Sequence, residues 1–79
     1  NADAIALIKA NQAELAIPLL SRAYSISPFD VEIAGNYGYS LYKTGALNQA
    51  RDVLALALKL SPKRRATWQN LGLTLAALN

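Results

Sequence analysis

The sequence predicts an all-α protein built from repeated helix pairs, and three observations support this prediction. Identical residues recur at one spacing of 34 positions, and seven of these identities join Ala16, Leu20, Ala23, Ser27, Pro28, Asn36 and Gly38 to Ala50, Leu54, Ala57, Ser61, Pro62, Asn70 and Gly72. A fixed period of this length is the signature of a helical repeat. Apolar residues also recur at helical spacing, and the composition is 53% hydrophobic with only four Gly and three Pro. At 79 residues we expect one small domain of about five helices, close to the lower size limit for a single core.

The 34-residue period divides the chain into one complete repeat and two partial ones. Residues 31–64 make the complete repeat, residues 1–30 an incomplete first repeat, and residues 65–79 the first helix of a further repeat. The first residue is Asn rather than Met, and the chain opens and closes inside a repeat. We therefore expect a fragment of a longer protein.

The incomplete first repeat is expected to contain two helices. Residues 3–10 carry apolar side chains among alanines and fit the end of a first helix that stops at Asn11, a residue that tolerates the left-handed conformation. Asn11 lies three residues before Glu14, a pattern close to a capping box, so a second helix is predicted over residues 12–26. Pro18 lies inside it and removes one backbone donor, and we expect a kink there rather than a break.

Two Ser-Pro pairs, Ser27-Pro28 and Ser61-Pro62, are each expected to start a helix. Serine can accept the free amide hydrogens of a first helical turn, and proline loses no hydrogen bond at the first helical position. The third helix is therefore predicted from Pro28 to about Lys43, and the fifth from residue 62 or 63 to residue 78.

Between these two helices, Gly45 is expected to stop the third helix, because glycine adopts the left-handed conformation of a helix end at little cost. A fourth helix is predicted over residues 47–60, where Val53, Leu54, Leu56, Ala57 and Leu58 recur at helical spacing.

The residues of the complete repeat resemble those of the tetratricopeptide repeat family. The resemblance is carried by Asn36-Tyr37-Gly38, Leu41-Tyr42-Lys43, Gly45, Ala50, Leu54, Ala57-Leu58 and Leu60-Ser61-Pro62. Matching residues precede it at Ala4, Leu7, Asn11, Ala16, Leu20, Ala23 and Pro28, and follow it at Trp68, Asn70-Leu71-Gly72 and Leu75, so that the resemblance covers essentially the whole chain. It implies a right-handed α-solenoid of antiparallel helix pairs. In such a stack, Gly38 and Gly72 would remove a side chain where two helices approach closely.

Composition excludes several kinds of chemistry. There is no Cys and no His, so disulfides, thiolate metal sites and the commonest general base are absent. No Gly-rich phosphate loop follows a strand pattern. We predict no enzymatic activity, no metal and no cofactor. No stretch reaches the roughly 18 apolar residues of a membrane helix, so a soluble protein is expected, without a choice between cytoplasm and periplasm.

The resemblance implies a protein-interaction scaffold in which the first helix of each pair lines a concave groove for a peptide or a partner helix. Carried over residue by residue, the groove positions are Ile5, Ile8, Lys9, Glu32, Asn36, Tyr39, Tyr42, Lys43, Gln69, Asn70 and Leu73. Asn36 is the strongest candidate because its amide can both donate to and accept from a ligand backbone; the alternative is a local hydrogen bond. Tyr39 and Tyr42 are candidates for aromatic anchors or for partly buried packing.

Two other functions stay open at this point. Lys59, Lys63, Arg64 and Arg65 form a basic cluster that could bind nucleic acid, although we expect a solvated edge away from the groove. The last helix carries no charge after Arg65, which is unlike the polar outer face of a terminal repeat. We therefore expect its outer face to be covered by further sequence or by another copy of the chain, which would make self-assembly an alternative function.

Overall fold

The computed structural model describes residues 13–79, with side chains described from residue 15 onward. This part of the chain consists of four helices: α1 (Ala13–Ile26), α2 (Val31–Lys43), α3 (Leu47–Leu60) and α4 (Arg65–Leu78). They form an all-α stack in which consecutive helices pack against each other. The helix predicted over residues 3–10 and the capping pattern at Asn11 lie outside the described residues.

Helix α1 runs through Pro18 without interruption, so the prediction that this proline does not break the helix is confirmed. The kink stays a prediction. Pro18 is exposed, whereas Ala16 and Leu20 on the opposite side are fully buried. The proline therefore lies on the outer side of the stack.

The Ser-Pro pairs do not start helices, and this prediction was wrong by about three residues. Ser27 and Pro28 lie in a turn that is closed by a hydrogen bond of 3.1 Å from the Asp30 amide to the Ser27 carbonyl. Proline favours the second position of such a turn. Asp30 is the actual cap of α2, because its Oδ1 accepts from the amides of Glu32 and Ile33 at 3.0 and 3.2 Å. A carboxylate that satisfies two free amides caps this helix better than the serine.

The second Ser-Pro pair behaves in the same way. The Arg64 amide donates to the Ser61 carbonyl at 3.3 Å, and α4 begins at Arg65 rather than at residue 62 or 63.

Gly45 ends α2 as predicted, with a φ of +86°. The Gly45 amide donates to the Tyr42 carbonyl, and the Ala46 amide donates to the Leu41 carbonyl, which is the Schellman arrangement. The Thr44 hydroxyl adds a hydrogen bond to the Ser40 carbonyl. The connection between α2 and α3 is therefore short, and the two helices form an antiparallel pair.

The core lies between α2 and α3 and depends on the contact between Gly38 and Leu54. A Cβ built on Gly38 would lie 2.5 Å from Leu54 Cγ, so the two helices approach as closely as the missing side chain allows. Leu54 is fully buried between Ala50 and Ala57, which are also fully buried. The small residues let the helices meet, and the leucine fills the space between them.

The outer helices pack on this pair through equivalent positions. Tyr37 of α2 lies against α1, with its ring centroid 5.3 Å from that of Tyr24. Thirty-four residues later, Leu71 of α4 packs against the core cluster, flanked by the buried Thr67 and Thr74.

The expected close approach at Gly72 is not present in the described part of the chain. No atom there lies within 4 Å of a Cβ built on Gly72. No helix among residues 13–79 covers Gly72 as α3 covers Gly38.

Candidate ligand groove

An open pocket of about 190 Å³ lies between α2 and α4, the first helices of two successive repeats. Its walls come from the first nine residues of α2 and from the start of α4 with the residue before it. It is lined by Val31, Glu32, Gly35, Asn36, Tyr39, Arg64, Ala66, Thr67 and Asn70. We refer to this pocket as the groove.

The groove brings together four of the side chains that sequence reasoning selected. Glu32, Asn36 and Tyr39 come from α2, and Asn70 comes from α4 at the position equivalent to Asn36. In residues 13–79 neither asparagine amide takes part in a side-chain hydrogen bond. Both are half-buried, so each amide can contact solvent or a ligand. The local hydrogen bond considered as an alternative for Asn36 is not formed with any described residue.

Four other candidates do not line the groove. Tyr42 lies next to it and packs on Tyr39, with ring centroids 6.4 Å apart and ring planes inclined by 37°. Lys43, Gln69 and Leu73 are exposed on α2 and α4 but lie outside the pocket. The remaining candidates, Ile5, Ile8 and Lys9, lie outside the described residues.

Arg64 is the functional candidate whose location was predicted wrongly. Sequence reasoning placed it with Lys59, Lys63 and Arg65 in a basic cluster away from the groove, whereas the structure places it in the groove wall. All four basic side chains are exposed, and Lys59 lies in the last turn of α3, where a cation favours the helix dipole.

The position of Arg64 is unusual for a helix start. It is the N-cap of α4 and its side chain makes no capping hydrogen bond, whereas the equivalent Asp30 caps α2 with two. A cation at the positive end of a helix is also unfavourable for the helix dipole. The sequence does contain a signal for this position, because Asp30 and Arg64 are 34 residues apart and a base therefore stands where the preceding repeat has an acid.

Small residues give the groove its depth. Gly35 has no described atom within 4 Å of where a Cβ would lie, so the wall of α2 is open at this point. Ala66 forms part of the facing wall on α4, and the buried Thr67 lies beneath it. Gly35 and Ala66 were not selected from the sequence, although Gly35 and Tyr39 are one helical turn apart and therefore share a face.

The groove offers hydrogen bonds, an aromatic ring and one charge of each sign, a set suited to non-covalent recognition. Among the described residues no group of acidic side chains is placed to hold a metal ion. None of the four described helices is long and apolar enough to cross a membrane.

Comparison with known families decides what kind of stack this is. The sequence model of the tetratricopeptide repeat matches residues 7–77. The chain belongs to the tetratricopeptide repeat family. Comparisons with curated proteins and with solved structures each gave no significant match. Tetratricopeptide repeat domains generally mediate protein–protein interactions and are typically non-catalytic scaffolds.

Proposed function

We propose that this tetratricopeptide repeat chain is a non-catalytic scaffold that binds a peptide or a helix of a partner protein in the groove between α2 and α4. The observation that carries the proposal is the meeting of Asn36, Asn70 and Tyr39 in one open pocket formed by two first helices. Neither amide has a hydrogen-bond partner in residues 13–79, so both can serve a ligand without breaking a contact there.

The two asparagines suit the backbone of the partner. Each primary amide can donate to a carbonyl and accept from an amide hydrogen of the same peptide. Because Asn36 and Asn70 occupy equivalent positions of successive repeats, they would contact two separate points of one bound segment. Tyr39 offers an aromatic surface next to Asn36 for one of the partner's side chains.

The charged residues of the groove indicate which charge the partner carries. Glu32 and Arg64 both line the pocket. They do not form an ion pair with each other, since the ion pair among the described residues joins Arg51 and Asp52. Arg64 occupies the position at which an aspartate, like Asp30 in α2, would cap and stabilise α4. The arginine makes the start of α4 less stable and places a cation in the groove. We therefore expect an acidic group of the partner to pair with Arg64.

The proposal is tested with peptides selected against the chain from a displayed random library. The selected peptides are then measured against the double variant Asn36→Asp, Tyr39→Glu. A matched control, Asn48→Asp with Gln49→Glu, makes the same change in net charge at two exposed positions of α3. Circular dichroism establishes that both variants keep the helical fold.

We expect the peptides to bind the parent and the control equally, and to bind the groove variant about tenfold or more weakly, since unpaired buried polar groups are costly. Equal binding to all three proteins would contradict the groove as the binding surface.

A further inference from the structure

The start of α4 lacks the cap that the start of α2 has. On α2, the Asp30 carboxylate accepts from the amides of the second and third helical residues at 3.0 and 3.2 Å. The equivalent amides on α4 are those of Ala66 and Thr67, 34 residues later. The Thr67 amide donates to the Arg64 carbonyl at 3.2 Å, whereas the Ala66 amide has no acceptor among the described residues. One backbone donor is therefore free at this end of α4.

The Thr67 hydroxyl is a second free polar group at the same place. Thr67 is only 2% exposed, and it lines the groove. Its hydroxyl takes part in no hydrogen bond with residues 13–79. Unlike the Ser40 hydroxyl, which is sealed inside the protein without a partner, the Thr67 hydroxyl opens to the groove. Buried polar groups are almost always hydrogen-bonded, so this hydroxyl is suited to receive a ligand.

The charges around these two groups favour an anion. Arg64 lines the groove beside them, and Lys63 and Arg65 adjoin it in the sequence. The first turn of α4 contains no acidic residue, so the positive end of the helix dipole and Arg64 lie together with no acid of α4 to offset them. Glu32 lines the opposite wall on α2, and its carboxylate disfavours an anion there. An anion in the groove is therefore restricted to the side of α4.

We propose that the start of α4 is an anion subsite of the groove, and that it binds the side-chain carboxylate of an acidic residue inside the bound peptide. This proposal rests on the function proposed above and adds the chemical group that the peptide supplies. The carboxylate takes the place that Asp30 has on α2. One of its oxygens accepts from the Ala66 amide and the Thr67 hydroxyl, and the other pairs with Arg64.

The subsite lies within reach of the asparagine that is proposed to hold the peptide backbone. Ala66 precedes Asn70 by one helical turn, which is about 6 Å along α4. An extended peptide covers this distance in about two residues. One segment can therefore contact Asn70 with its backbone and the start of α4 with a nearby side chain. Because the occupied cap on α2 is itself a side-chain carboxylate, an internal acid fits this place better than the C-terminus of the peptide.

The probes are the peptides selected against the parent chain from the displayed library. In each peptide every Asp and Glu is replaced, one at a time, by the corresponding amide, and a further version has an amidated C-terminus. Affinities for the full chain are measured by isothermal titration calorimetry. We expect one internal acid whose replacement weakens binding about tenfold or more, because hydrogen bonds to a charged group are lost. Amidation of the C-terminus should leave the affinity unchanged.

The variant Thr67→Val tests whether this acid lies at the start of α4, because it removes the hydroxyl and keeps the branched shape of the side chain. The matched control is Thr74→Val. Thr74 is a second buried threonine of α4, but its hydroxyl donates to the Asn70 carbonyl at 2.8 Å and it does not line the groove. Circular dichroism establishes that both variants keep the helical fold.

We expect Thr67→Val to weaken the acidic peptide about tenfold and to change the affinity of its amide version much less. The control should change neither affinity. The Ala66 amide gives a readout that needs no substitution in the chain. In NMR spectra of the ¹⁵N-labelled parent, its proton should move downfield when the acidic peptide binds, since it gains a charged acceptor, and should move less with the amide version.

Three results would overturn the proposal. The first is that no internal acid can be found whose replacement weakens binding. The second is an equal loss on replacing the acid in the parent and in Thr67→Val, together with an unmoved Ala66 amide, since the carboxylate would then lie elsewhere. The third is a loss that follows only from amidation of the C-terminus, because the terminal carboxylate would then be the occupant.

The two proposals can be told apart by the groove variant Asn36→Asp, Tyr39→Glu. Each of the three results can occur while this variant still loses the peptides, and then the groove stands and only the anion subsite falls. Peptides that bind this variant as tightly as the parent would overturn both proposals.

Discussion

The close contact between α2 and α3 can be measured with a pair of identical substitutions, Gly38→Ala and Gly72→Ala. Both glycines lie inside helices at equivalent positions of successive repeats, so alanine gains about 1 kcal/mol of helix propensity at each. At Gly72 nothing opposes this gain, since no described atom lies within 4 Å of the new Cβ. At Gly38 the new Cβ would lie 2.5 Å from Leu54 Cγ, and Leu54 is fully buried.

Overpacking of this kind costs about 1–3 kcal/mol. We therefore expect Gly72→Ala to raise the free energy of unfolding by about 1 kcal/mol. The free energy of unfolding of Gly38→Ala should be about 1–3 kcal/mol lower than that of Gly72→Ala. Because the propensity gain is common to both variants, their difference isolates the clash. In a domain of this size 1 kcal/mol corresponds to roughly 4–8 °C in Tm, so thermal and urea unfolding followed by circular dichroism resolve it.

A third variant checks the cause. Leu54→Ala should cost about 2–5 kcal/mol alone, but adding Gly38→Ala to it should be harmless because the space is then free. Equal stabilities of the two glycine variants would refute the close approach at Gly38. It would also be refuted if the loss of stability in the double variant equalled the sum of the losses in Gly38→Ala and Leu54→Ala.

Three further predictions follow from single positions. Ser40→Ala should raise the free energy of unfolding, measured by urea titration, by about 1 kcal/mol. The reason is that the Ser40 hydroxyl is fully buried and has no hydrogen-bond partner in the described structure. A loss of stability would contradict this prediction. Arg64→Asp should also raise Tm, since it restores the cap that Asp30 gives to α2, and should weaken a groove ligand that carries an acidic group; an unchanged affinity would remove Arg64 from the site. Gly35→Leu should keep or raise Tm but weaken groove ligands about tenfold or more in fluorescence titrations, because the new side chain enters the open wall of α2. Unchanged affinity with Gly35→Leu would mean that ligands do not enter the groove.

The order and the bounds of most helices could be predicted because the signals are local or periodic. The repeat spacing relates α1 to α3 and α2 to α4, and Gly45 ends α2 through its own backbone conformation. The start of α2 was predicted wrongly because two caps compete within four residues. Ser27 and Asp30 can both accept amide hydrogens, and only the folded geometry shows that Asp30 accepts two.

The candidate site was predictable only in part for a different reason. Asn36, Tyr39 and Asn70 could be selected because the resemblance assigns positions on a helix to the concave side. Arg64 could not, since it precedes α4 and its place in the wall depends on how the turn after Ser61 orients it. The exposure of Gly72 likewise depends on a neighbouring helix, which no pattern within α4 can supply.

The most direct test of the groove is a map of the residues that respond to a bound partner. The ¹⁵N-labelled chain is titrated with a peptide selected against the parent, and the backbone amide shifts are followed by NMR. We predict that the largest shifts fall on residues 31–39 and 64–70, and that they vanish with Asn36→Asp, Tyr39→Glu. Shifts concentrated on the exposed face of α3 around Asn48 and Asp52, with residues 31–39 unchanged, would contradict the groove as the binding surface of this protein.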